Sequence, residues 1–86
     1  MRIEEFQNLP ALKQQIILTD KGTSVHVVKN DSFGYVLYSV FNFYVEVIYN
    51  RATNTIFSMY AFTSDDPKMN FYLDEIRLGD LDDGIS

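Results

Sequence analysis

A chain of 86 residues makes one domain, with room for a single modest core and not two, and without cysteine neither disulfides nor thiolate ligands can supplement that core. The net charge of −5 sets the chain against the phosphates of nucleic acid. The longest apolar region, residues 33–49, is interrupted by Ser39, Asn42 and Glu46, so it is not the run of about 20 apolar residues that a membrane-crossing helix requires.

The chain opens Met1-Arg2-Ile3-Glu4-Glu5, with two acids where a secretory leader carries bases and then an apolar run, and a cytoplasmic protein is expected. Ile3 to Gln7 can form a turn or two of helix, which Asn8-Leu9-Pro10 breaks because the residue before proline avoids the helical region. A second helix starts at Pro10. Its expected inward side is Leu9, Leu12, Ile16 and Thr19, and Asp20-Lys21-Gly22 ends it. Thr23 to Val28 reads as a first strand, and Lys29-Asn30-Asp31-Ser32 as a turn. Gly34 to Val40 and Phe43 to Tyr49 read as two more strands, separated by the tight turn Phe41-Asn42. Residues 50–55 form a loop that pairs Asn50 with Thr55 and needs a left-handed residue, which Asn54 tolerates. A fourth strand covers Ile56 to Phe62. Asp66 or Ser64 then caps a short helix with Pro67 in its first turn, and Met69, Tyr72 or Leu73, and Ile76 face inward. Gly79 ends that helix, giving one α+β domain over residues 1–79: N-terminal helices, a four-stranded antiparallel meander, a short C-terminal helix. An acidic flexible tail is expected over residues 80–86.

The central strands are apolar on both faces. Residues 33–62 hold ten of the chain's thirteen aromatic side chains, and neither Tyr35, Leu37 and Phe41 nor Val36, Tyr38 and Val40 forms a polar set. A sheet with one wet face alternates apolar with polar, so both faces of this one need cover. With Phe41-Asn42 as the turn, Val40 opposes Phe43, Tyr38 opposes Val45 and Val36 opposes Val47. The four-residue loop then sets Val47 against Ser58, Val45 against Tyr60 and Phe43 against Phe62. The other face is expected to carry Tyr35, Leu37, Ser39, Tyr44, Glu46, Ile48, Phe57, Met59 and Ala61. Two short helices cover one face, and a homodimer is the economical way to bury the second.

The order of elements, with Phe43-Tyr44-Val45-Glu46-Val47-Ile48-Tyr49-Asn50 before a loop and a further strand, resembles that of small bacterial single-domain proteins over roughly residues 3–76. That resemblance implies a helix, meander, helix domain; it brings no activity and no functional residue.

Candidate chemistry is sparse. Glu46 is a lone carboxylate among Val45, Val47, Leu37 and Met59, where loss of solvent would make it a general acid or base. No second acid, nucleophile or metal ligand accompanies it, which points to a structural carboxylate met by Tyr44, Arg51 or a partner subunit. His26, the only histidine, sits mid-strand and cannot build a histidine metal cluster, and Ser residues lack an elbow such as G-x-S-x-G. Asp80-Leu81-Asp82-Asp83-Gly84 places its glycine one position early for a calcium loop and has no glutamate at position 12. No cofactor and no metal are expected.

The charge lies at one end: residues 1–64 are neutral, while residues 65–86 hold Lys68 and Arg77 against seven acids. The sequence therefore suggests a non-enzymatic, homodimeric protein-interaction module of adaptor, chaperone-like or inhibitor type. Its candidate surface is Tyr35, Leu37, Tyr44, Glu46, Ile48, Phe57 and Met59, with Asp74, Glu75, Asp80, Asp82 and Asp83 as an acidic dock for a basic protein. The alternative is a small-ligand domain or minimal enzyme using Glu46 and the neighbouring tyrosines, which requires a concavity holding both.

Overall fold

A proline and a glycine bound the longer of the two N-terminal helices. Pro10 stands immediately ahead of a helix as its cap rather than as its first helical residue, and Gly22 closes the same helix by donating its N–H to Leu18 at 3.0 Å. The computed structural model describes residues 1–73. It places α1 at Ile3–Gln7, α2 at Ala11–Lys21 and strands β1 (Thr23–Lys29), β2 (Phe33–Val40), β3 (Phe43–Asn50) and β4 (Thr55–Phe62), followed by a helix α3 that begins at residue 68. The strands form one antiparallel sheet in the order β1-β2-β3-β4, so the fold is α+β as the sequence implies.

Side-chain turn chemistry fixes the links. Asn30 Oδ1 accepts from the N–H groups of Ser32 and Phe33 between β1 and β2, and Asn50 Oδ1 accepts from Ala52 and Thr53 between β3 and β4. Asn54 is left-handed at φ 58, as that loop demands. The two-residue link between β2 and β3 sets Phe41 at φ 53, a region that L side chains enter at a cost of about 1–2 kcal/mol.

Register follows expectation between β2 and β3, where Val40 pairs with Phe43, Tyr38 with Val45 and Val36 with Val47. Between β3 and β4 it does not. Asn50 pairs with Thr55, but the ladder slips between Ile48 and Tyr49 because Phe57 is an extra residue on β4. Val47 therefore opposes Met59 and Val45 opposes Ala61, where a regular ladder would have placed Ser58 and Tyr60. One bulged residue exchanges the faces of everything beyond it.

The first face packs beneath α1 and α2, with Phe6 and Leu18 buried against Val40, Phe43, Val45 and Ala61. Part of the second face is covered by the chain itself: Tyr72 of α3 is buried on Leu37 and Phe62, with Met69 beside it. The expected inward stripe of α2 is also overturned. Leu12 and Ile16 are exposed, while Ile17 and Leu18 turn inward and Gln14 donates from Nε2 to the Phe6 carbonyl at 2.8 Å. That hydrogen bond and the contacts of Leu18 set the rotation of the helix, so the stripe one position earlier faces away.

Candidate functional site

β3 delivers Glu46 to the middle of the second face, where α3 closes over it. Only 3 % of Glu46 is exposed, and both carboxylate oxygens are engaged. Tyr72 donates its hydroxyl to Oε2 at 2.5 Å, and the Lys68 ammonium lies 3.0 Å from Oε1. Lys68 and Tyr72 are four residues apart, hence on one side of α3, and together they pin that helix to the sheet. Burial and the Glu46 carboxylate both push the Tyr72 hydroxyl well above the usual tyrosine range, so it remains a donor.

Asp66 starts α3 and anchors its neighbours. Its Oδ1 accepts the Lys68 N–H at 2.8 Å, which makes it the cap read from the sequence, and its Oδ2 accepts the Tyr60 hydroxyl at 2.8 Å. The Lys68 N–H, then the Tyr60 hydroxyl, hold the Asp66 carboxyl below its ordinary range; the bond to Asp66 in turn raises Tyr60. The Tyr60 ring also lies under the Lys68 ammonium, 5.4 Å from its centroid. Lys68 is thereby aimed from two sides at Glu46.

An open groove of about 660 Å³ borders this cluster, lined by Val28, Asn30, Tyr35, Glu46, Lys68 and Phe71. Beyond it the sheet face is aromatic and open: Phe33 meets Phe57 edge-on at 5.4 Å, and Phe57 is 69 % exposed. Of the candidate residues, Tyr35, Ile48 and Phe57 belong to this open half. Leu37, Tyr44 and Glu46 lie in or beside the part closed by α3. Met59 does not belong to the site, because the bulge at Phe57 turns it to the helix-covered face. Glu46 opposes Tyr60 instead of Met59, and neither Tyr44 nor Arg51 satisfies it; Arg51 donates to the Asn30 carbonyl. His26, displaced by a bulge at Val25, opposes Leu37 and stands edge-on to Tyr72 at 6.3 Å.

Asp74, Glu75, Asp80, Asp82 and Asp83, with Ile76, the helix end expected at Gly79 and the tail expected over residues 80–86, lie outside the described residues. Lys68, Asn30 and Phe71 complete the site without having been singled out as site residues from the sequence, while Tyr72 was expected only as one of two candidates for the inward side of α3.

Chemically the cluster is closed. Each Glu46 oxygen already has a partner, the Tyr72 hydroxyl or the Lys68 ammonium, and with 3 % of the residue exposed the carboxylate is engaged in holding α3. Among the described residues, no group of three or more His, Asp or Glu side chains is placed to hold a metal, and every fully buried side-chain nitrogen or oxygen has a hydrogen-bond partner. No protein-family model, curated protein or solved structure matches the chain, and the roles of these residues follow from their geometry.

Proposed function

We propose that the chain is a small non-enzymatic protein-interaction module that acts as a homodimer, in the manner of an adaptor, a chaperone-like factor or an inhibitor. The observation that carries this reading is the open aromatic half of the second sheet face, where Phe57 stands out beside Phe33, and the groove that Tyr35 and the exposed Phe71 line. Aromatic side chains of this kind dominate protein interfaces, since they bury much area at low cost in conformational freedom. The groove beside them is open and mostly apolar, which suits a protein side chain or short segment. Glu46 serves this surface as the fastener of α3, the groove's wall.

A second reading has one specific observation in its favour: the groove brings Glu46, Lys68 and Tyr35 together, the concavity that a small-ligand site needs. The two readings part on mutation. Capture of protein partners by the intact chain is expected to be lost on Phe57→Asp and retained on Glu46→Gln. A bound small molecule or an activity that Glu46→Gln abolishes, with no partner sensitive to Phe57→Asp, reverses the order of the two readings.

A further inference from the structure

We propose that the outer edge of β1 takes an extended segment of a partner protein as a fifth strand, antiparallel to β1, with one large apolar side chain of that segment in the groove between β1 and α3. This rests on the protein-interaction reading and names the backbone that a partner would meet.

The register shows which groups are on offer. Asn30 donates its N–H to the Phe33 carbonyl at 2.9 Å, and from there β1 pairs Lys29 with Gly34, Val28 with Tyr35, Val27 with Val36 and His26 with Leu37. In an antiparallel ladder alternate residues turn both backbone groups to the same neighbour, so Val28 and His26 serve β2 while Val27 and Lys29 point their N–H and C=O groups outward. The next ladder agrees. The β2–β3 link closes at Val40 and Phe43, which gives Val36 and Gly34 to β3 and leaves Tyr35 and Leu37 for β1. Among the described residues no strand lies beyond β1. The β4 edge is broken by the extra residue Phe57, and its Ala61 carbonyl accepts from Gln7 Nε2 at 3.4 Å. On β1 the bulge at Val25 comes early and leaves His26 to Lys29 in unbroken register. Edge strands are ordinarily guarded by charges, prolines or bulges; within these four residues Lys29 is the one guard, and Val27 is 45 % exposed.

Three features together name the occupant. Two N–H donors and two C=O acceptors on residues about 7 Å apart along one line are the complement of another extended backbone. The groove then selects a side chain. Val28 lines it together with Tyr35 and Phe71, and a residue set opposite Val28 on an added strand carries its Cβ about 5 Å from that of Val28, on the same face of the sheet. A large apolar side chain there reaches into the groove, while the residues on either side of it exchange hydrogen bonds with Lys29 and Val27. Charge selects the flanks: with a net charge of −5 on the chain, a segment bordered by Lys or Arg is favoured over an acidic one.

The probe is the peptide acetyl-Lys-Lys-Thr-Val-Phe-Val-Thr-Lys-Lys-amide, which sets its phenylalanine opposite Val28 and its two valines opposite Lys29 and Val27. Amide exchange followed by NMR on the free protein is expected to be fast at Val27 and Lys29 and slow at Val28 and His26. The peptide is expected to protect Val27 and Lys29 with a Kd of about 10–100 µM, since four hydrogen bonds and one side chain make a small interface. Methylating both valine nitrogens of the peptide is expected to weaken binding at least about tenfold, and methylating the phenylalanine nitrogen, which points away from β1, less than about threefold. Replacing the peptide's phenylalanine by alanine, or Phe71→Ala in the protein, is expected to weaken binding about tenfold. A Kd above about 1 mM, equal losses from the two methylations, or slow exchange at Val27 and Lys29 in the free protein overturns the strand addition. A loss confined to the methylated phenylalanine puts that side chain on the other face and overturns the groove assignment. If the strand addition fails while partner capture by the chain is still lost on Phe57→Asp, the protein-interaction reading stands without it.

Discussion

Glu46 is held by opposite logics of charge and burial. A carboxylate in the interior is costly unless its oxygens are met, and here an ammonium and a phenol meet one each. Removing the charge while keeping an acceptor is therefore mild. Glu46→Gln retains a carbonyl oxygen for Tyr72, and the partly exposed Lys68 can turn to water, so the fold is expected to survive with a loss of about 1–2 kcal/mol in chemical denaturation. Glu46→Ala, which strands both partners, is expected to cost about 3–5 kcal/mol. Tyr72 supplies a pH test from the same cluster. Its hydroxyl titrates above its unfolded value, so the stabilisation from keeping it neutral is complete below about pH 10 and is lost as pH rises from there. Alkaline melting should thus be steeper for the wild type than for Tyr72→Phe, which has no proton to lose; equal slopes above pH 10 would place the titrating group elsewhere.

At the level of elements, the turn between β2 and β3 is the place where local preference and architecture conflict. A two-residue hairpin link favours Gly or Asn where φ is positive, yet Phe41 occupies that position, its ring 6.1 Å from Phe43. Phe41→Asn keeps the turn and relieves most of the strain at the loss of one exposed aromatic contact. A gain of roughly 0.5–1 kcal/mol, or a rise of about 2–6 °C in melting temperature, is expected for a domain of this size. A fall instead means that the ring contact outweighs the strain. The same hairpin shows what the sequence could reveal. The order of elements, the β2–β3 register and the left-handed Asn54 were legible because each depends on residues within a few positions. Phe57 and the rotation of α2 were not. A bulge is decided by how β4 twists to meet α1 and β3 together, and Leu12-Ile16 and Ile17-Leu18 are equally apolar, so only the finished sheet chooses between them. The Lys68–Glu46–Tyr72 cluster depends on the path of α3 across the sheet, a contact over more than twenty residues of chain that no local pattern encodes.

For the whole molecule, the two faces of the sheet divide the proposed labour. α2 lies over the first face and the open aromatic half belongs to the second. Charge adds a third property, independent of both surfaces. The thirteen residues after position 73 carry five acids against Arg77, and nearly all of the net charge of −5 resides there. A partner drawn to that end is a basic protein surface, and charges act at long range mainly on the rate of encounter, over a screening length of about 8–10 Å at ordinary ionic strength. Neutralising Asp74, Glu75, Asp80, Asp82 and Asp83 to Asn or Gln is therefore expected to slow association with such a partner about tenfold at low salt and to have little effect at high salt, where the wild type is already slowed. Dissociation should hardly change, because the aromatic surface holds the complex once formed. Stopped-flow association and dissociation across a salt series read both quantities. A partner whose binding rate ignores both salt and the five substitutions would remove the acidic end from recognition, and tight binding to DNA or RNA in a shift assay would overturn the charge argument at its root.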